Sequence, residues 1–249
     1  MQRLEAKGKK RIEISGDAVL DIADGSQADV VIRPGKNCSV EMHIGKKCRV
    51  RSFVVQGREG RIAQTNHIGA GSRIDTFGLW VFGGEGEIEN LLEGEKAEAH
   101  DSHVFVERGT ETFRLNCMLR HAHKDTKGDV LVKGVVKDSA SARLDGMIKV
   151  ERNGAGAESF LSEHVILLNP GAHAIANPEL EIENNDVSSR HSASVSQISA
   201  EKIFYLMARG LRESEAKALL VEGFLQSAIE RIDDKELKNE FGEKVKGAL

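Results

Sequence analysis

The feature that most limits what this chain can fold into is a rhythm: short sets of alternating apolar residues, punctuated by glycine about every ten residues. From Arg11 onward Ile12 and Ile14, then Val30 and Ile32, then Val40, Met42 and Ile44, then Val50 and Phe53 recur with a period of two. That is the period of a strand with one buried face. Gly16, Gly25, Gly35, Gly45 and Gly57 separate these sets, and such spacing is too short for a strand followed by a crossover helix. A doubly wound α/β sheet is therefore excluded. An all-β body remains, built as a sandwich, a barrel or a solenoid, and the rhythm continues through Gly128, Gly134 and Gly146 as far as Asn169. We prefer the solenoid, although periodicity fits the sandwich equally well. Strand order decides between them: stacked rungs pair residues about 20 apart in parallel, whereas a sandwich pairs antiparallel hairpins.

The pattern changes near Ser199. Ser199 is placed to N-cap a helix carrying Ile203, Phe204, Leu206 and Met207, with Gly210 as its C-terminal stop. After Ser214, the residues Val221, Leu225, Ala228 or Ile229, and Ile232 fall on one helical stripe. Asp234 can cap a third helix with Leu237, Phe241 and Val245 at four-residue spacing. The expected division is residues 1–198 as a β core and 199–249 as a helical domain.

Composition removes several functions. Charged residues form 30% of the chain with both signs mixed, the formal net charge is −4, and aromatic residues are only 4%. Neither a polyanion-binding surface nor a base-stacking platform is expected from these, so no nucleic-acid partner is expected. No apolar run approaches the roughly 20 residues of a membrane span, and the charged start MQRLEAKGKKR has no apolar stretch behind it. Three cysteines outside any CxxC spacing fit a reducing compartment. The expectation is a cytoplasmic protein with no membrane association. The signatures GxxxxGK, GxGxxG, HExxH and GxSxG are all missing, and no enzymatic role is expected.

Histidines and cysteines are the remaining chemistry. His121 and His123 would share one face of a strand, and His100 and His103 would point to opposite faces. Both pairs read as solvated polar surface, the default on the outside of a solenoid. Cys117, between Leu115 and Leu119 in an apolar alternation, reads as a buried inert thiol, with carriage of sulfur as its alternative. Cys38 and Cys48 lie in polar, turn-like segments and read as loose thiols.

From Ile166 the chain runs ILLNPGAHAIANPELEIENNDVSSRHSASVSQISAEKIFYLMARGLRESEAKALLVEGFL. Its leucine pair before a short turn, Pro178-Glu179-Leu180-Glu181-Ile182, Asp186-Val187, His191 before a run of small residues, Gln197, Phe204-Tyr205-Leu206, Arg209-Gly210 and Gly223-Phe224 resemble the C-terminal signature of the SufB/SufD family, more closely its SufD branch. The match is strong over about residues 165–230, looser over about 60–165 and weak over the first 55, and the family's N-terminal helical region has no expected counterpart.

The resemblance implies a right-handed parallel β-helix with a C-terminal α-helical tail, acting as a scaffold in iron-sulfur cluster assembly. It implies pairing through the end of the β-helix, as a homodimer or with a related SufB/SufD chain. It also implies docking of a SufC-like ABC-type ATPase on the helices, through Phe204, Tyr205, Arg209, Gly210, Gly223 and Phe224. His191 matches the histidine of the family's SHGAT-like segment near the dimer interface, where it is implicated in holding a transient iron-sulfur cluster. Cys117 is the second residue nominated for cluster or sulfur handling. Ser189 stands where SufD-like chains often carry cysteine, Pro170 near a functional cysteine of SufB-like chains, and Ser192 in place of a SufB-like glutamate. Cluster ligands are preferentially thiolates, so these departures weigh against a cluster held by this chain alone. Two other functions fit the rhythm: a self-assembling structural solenoid, and a carbohydrate-active β-helix enzyme. The latter would have to build its sugar platforms with one tryptophan, Trp80, and one tyrosine, Tyr205.

Overall fold

Each alternating set forms a strand, and successive strands fall alternately into two sheets. The first six are β1 (Gln2–Ala6), β2 (Lys9–Ile14), β3 (Ala18–Ile22), β4 (Gln27–Ile32), β5 (Cys38–Ile44) and β6 (Arg49–Val55). The next five are β7 (Arg61–Ile68), β8 (Arg73–Trp80), β9 (Gly84–Leu92), β10 (Glu98–Glu107) and β11 (Thr112–His121). The last five are β12 (Lys127–Val136), β13 (Ser141–Val150), β14 (Ala157–Leu167), β15 (His173–Ile182) and β16 (Val187–Gln197). The structure, a computed structural model, describes residues 1–56 and 59–249; Gly57, one of the punctuating glycines, lies outside the described residues.

Odd-numbered strands form one eight-stranded sheet and even-numbered strands the other, each in chain order. The neighbours are parallel, from β1 beside β3 to β14 beside β16. Parallel order excludes the hairpin sandwich, and two strands make one rung of a parallel β-helix. Pairing offsets begin near the expected value and then grow, from 16 residues (Gln2 beside Ala18) to 32 (Ser141 beside His173). The cause is strand length, which rises from 5 residues in β1 to 11 in β16.

Between the sheets lies one continuous core, with Leu20, Val30, Ile62, Ile74, Trp80, Phe105, Leu119, Leu144 and Leu161 stacked rung upon rung. Gly128, Gly134 and Gly146 are not turn residues as the rhythm suggested. They sit inside β12 and β13, facing this core. A Cβ on Gly134 would overlap the Phe105 ring, so a ring on one rung fills the space left by a missing side chain on the next.

The tail forms α1 (Ala200–Met207), α2 (Glu213–Ile229) and α3 (Lys235–Ala248). Ser199 and Asp234 cap α1 and α3 as expected, accepting from the backbone N–H groups of Lys202 and Leu237. Helix α2 begins at Glu213 rather than after Ser214, because the Glu215 carboxylate folds back to accept from the Arg212 N–H at 2.8 Å. The stripe Val221, Leu225, Ile229 and Ile232, with Leu237, Phe241 and Val245, packs on the outer face of the even-numbered sheet against Val31, Phe53, Phe77, Leu79 and Val104. Arg33 clasps Glu240 through two hydrogen bonds of 2.5 and 2.7 Å, and Arg51 and Arg231 reach Asp233 and Asp129 across the same seam.

Candidate functional site

The site is where the rungs stop. β15 and β16 are the last strands of their sheets, and among the described residues no strand pairs with their outer edges. Their core-facing positions therefore look out of an open mouth, and Leu180, Ile182 and Val195 are exposed there. His191, in the middle of β16, pairs in register with core-facing Leu161 and alternates in step with Ser189, whose hydroxyl meets that of Ser159 at 2.8 Å. Imidazole and mouth thus share a phase, and the ring is exposed because no further rung covers it.

Behind the mouth the core is unexpectedly polar. Glu163, on β14, is buried, and its Oε1 lies 2.5 Å from where a Cβ on Gly146 would stand, so the carboxyl occupies the hollow that glycine leaves. Burial, and then the charge of Asp145, pushes Glu163 up to about 7. Deeper in, Ser52 donates to Gln64 at 3.0 Å, Gln64 to Asn66 at 3.0 Å, Asn66 to Asn90 at 2.8 Å, and Asn90 to Asp101 at 2.8 Å. The Asp101 Oδ1, both nitrogens of His103 and the Glu163 Oε2 find no partner among the described residues. Unpaired buried polar atoms are costly and mark places where a fold trades stability for something else.

Cys117 lies in this interior on β11, two rungs below His191, so the two are separated by on the order of 10 Å along the axis. It is 3% exposed, and burial, reinforced by Asp101 and Glu163, raises its thiol well above the ordinary value. Cys38 and Cys48 are not loose. Both thiols turn inward at rung corners and donate at 3.2 Å to the carbonyls of Gly16 and Ala23. The histidine pairs also divide. His103 and His121 are fully buried because their strand positions face the core. Burial holds His121 down at about 4 while its Nδ1 hydrogen-bonds Thr126 at 2.8 Å. His100 stays on the outer face beside Asp129, and His123 in a corner.

On the helices, Phe204 and Tyr205 are 73% and 57% exposed. Arg209 donates to the Tyr205 hydroxyl at 3.1 Å, and Gly210 ends α1 at φ 99°. Gly223 is exposed on α2, whereas Phe224 is half-buried with the Lys133 ammonium 4.6 Å from its ring centroid. The exposed large apolar residues of the helices are Phe204, Tyr205 and Met207 on α1 and Leu219 on α2, since the stripe of α2 is spent against the sheet.

A parallel rung stack, a histidine facing out of its last rung and three helices along one sheet define a β-helical protein with a C-terminal helical tail. The family model described as the SUF system FeS cluster assembly, SufBD core domain, matches residues 11–224. The chain belongs to the SufB/SufD family of iron-sulfur cluster assembly proteins, and is SufD-like. It is 31% identical over 188 residues to the iron-sulfur cluster assembly protein SufD of Bacillus subtilis, which covers 73% of this chain and 43% of the relative. Over 160 residues it is 32% identical to the protein of the same name from Plasmodium falciparum, covering 64% of this chain and 11% of that one. A SufBD family assembly protein of Mycobacterium leprae is 25% identical over 195 residues, 75% of this chain and 22% of the relative. The chain thus spans less than half the length of these relatives. Among the described residues, no helix is long and apolar enough to cross a membrane.

Sequence reasoning missed Glu163, Asp101 and the amide line. Their signal is a polar residue in core-facing phase, legible only once the rung offset is known, as with Asn66 beside Asn90.

Proposed function

We propose that this chain is a non-enzymatic scaffold subunit of SUF-type iron-sulfur cluster assembly in the cytoplasm. Its open last rung pairs with the same rung of a second copy or of a related SufB/SufD chain. Residues 1–198 carry that seam, and residues 199–249 carry the surface for a SufC-like ABC-type ATPase. The observation that carries the proposal is His191 at the mouth of an uncovered rung, in a chain of this family. The iron-sulfur cluster is cargo here, and the donors at the mouth fit it in part: one imidazole and the hydroxyl of Ser189, with Ser192 turned to the outer face beside Ser162 and every cysteine of the chain buried elsewhere. Imidazole can ligate iron, but clusters are held chiefly by thiolates, so His191 contributes one ligand and a related SufB/SufD chain supplies the thiolates, since a second copy of this chain brings no cysteine to the mouth. Cys117 enters only as a carrier of sulfur reached through the core. Its raised pKa opposes that use, since the thiolate is the nucleophile.

The test is anaerobic reconstitution of His191→Ala together with its partner chain, followed by counting iron and sulfide. Because the ring is exposed, the variant should fold and associate normally yet retain less cluster. Wild-type cluster content in an intact assembly would return His191 to an ordinary surface residue.

A further inference from the structure

A second constellation lies on the outer face of the odd-numbered sheet, far from the mouth. Glu41 and His43, two residues apart on β5, share that face, and β7 brings His67 directly beside His43 in register. The imidazole rings stack with centroids 4.8 Å apart at 22°. Glu41 Oε1 lies 3.2 Å from His43 Nε2 and 3.5 Å from His67 Nε2, and the three donor atoms all fall within 4.8 Å of one another. A tetrahedral ion with bonds of about 2.0–2.1 Å to nitrogen and oxygen spaces its ligand atoms roughly 3.3 Å apart. Two edges of that triangle already have this length. The third closes by turning half-exposed rings that no core packing restrains.

The surroundings favour a cation. Glu93 Oε1 is 3.1 Å from His67 Nδ1, an arrangement that places the proton on Nδ1 and leaves the Nε2 lone pair facing Glu41. Glu5, Asp21 and Glu93 line the same hollow of about 360 Å³, and among the described residues only Asp21 of these pairs with an arginine or lysine side chain, Arg3 at 2.8 Å. Two imidazoles and a carboxylate with room for solvent suit a divalent first-row transition ion such as Zn(II), Co(II) or Fe(II). Magnesium and calcium require oxygen ligands throughout.

We propose that Glu41, His43 and His67 form a binding site for a divalent transition-metal ion, with Glu93 as the positioning residue for His67. The site ties the third rung to the fourth. It is four strands from β15, on the order of 20 Å, and is independent of the cluster seam. It escaped the sequence because its histidines stand 24 residues apart, a spacing that becomes a contact only through the rung offset.

Titration of the metal-free full-length chain with Co(II) tests it, reading the visible d–d absorption, with Zn(II) added afterwards to displace the probe. The wild type should bind one equivalent at this site, and the His43→Ala/His67→Ala variant should lose it. Glu93→Gln should weaken binding roughly 10–100-fold with an unchanged melting temperature. His173→Ala, an exposed histidine of the last rung, should bind like the wild type. Absence of Co(II) binding by the wild type, or binding indifferent to loss of both His43 and His67, overturns the proposal.

Discussion

Glu107 shows what burial does to a single residue in this core. It is fully buried on β10, its Oε2 accepts from the Gly83 N–H at 2.8 Å, and burial, followed by the charge of Glu111, pushes it up to about 9. An unfolded glutamate titrates near about 4.3. Between those values the folded chain holds a proton that the unfolded chain has released, so stability falls as pH rises through the interval, by up to about 1.4 kcal/mol per unit from this group. Glu163, raised to about 7, acts with the same sign over a narrower range. His121, lowered to about 4, acts oppositely: below about 6.5 the unfolded chain takes up a proton that the folded one refuses, and stability drops with acid. Thermal melts of Glu107→Gln should therefore diverge from those of the wild type as pH rises from 5 to 8, the variant becoming the more stable. Parallel curves would mean that Glu107 is ionised and paired in the fold. None of this was legible beforehand, because alternation tells which residues share a face but not which face is inside. The caps at Ser199 and Asp234 were legible, being decided by chemistry within three residues.

At the scale of elements, the strands and helices follow from local pattern, but their partners do not. Period two located the strands; parallel pairing rests on contacts up to 32 residues away, and it was the resemblance around His191 that implied it. The stripe of α2 finds its cover within the chain, where each fully buried Val, Leu, Ile or Phe contributes roughly 1.5–3 kcal/mol. Removing residues 200–249 would bare Phe53, Phe77 and Leu79 and confuse misfolding with lost docking. Helix α1 allows a cleaner experiment, since none of its residues is buried. The double variant Phe204→Ser/Tyr205→Ser should melt within about 1 °C of the wild type, as exposed substitutions do, while losing co-purification with the ABC-type ATPase. Retention of the ATPase would place its docking surface elsewhere.

At the scale of the whole molecule, the free edges of β15 and β16 are the exposed flank that a parallel sheet must cover. Val195, 38% exposed at the mouth, tests whether a second chain does so. Where the chain pairs with itself, Val195→Lys should halve the mass measured by light scattering at micromolar concentration, and where it pairs with a related SufB/SufD chain the substitution should abolish co-purification with that chain, leaving the melting of the single chain nearly unchanged in both cases. A paired assembly, of either kind, that is indifferent to the substitution would remove the mouth as the seam. The steady lengthening of the rungs bears on what such pairing can build. A stack that widens from 5-residue to 11-residue strands is a taper, and tapers do not tile base to tip, because the broad cross-section finds no equal at the narrow one. Another base matches its strand lengths better than the narrow end does. In the proposed pairing, joining through that base uses up the broad face, so no third chain can add there.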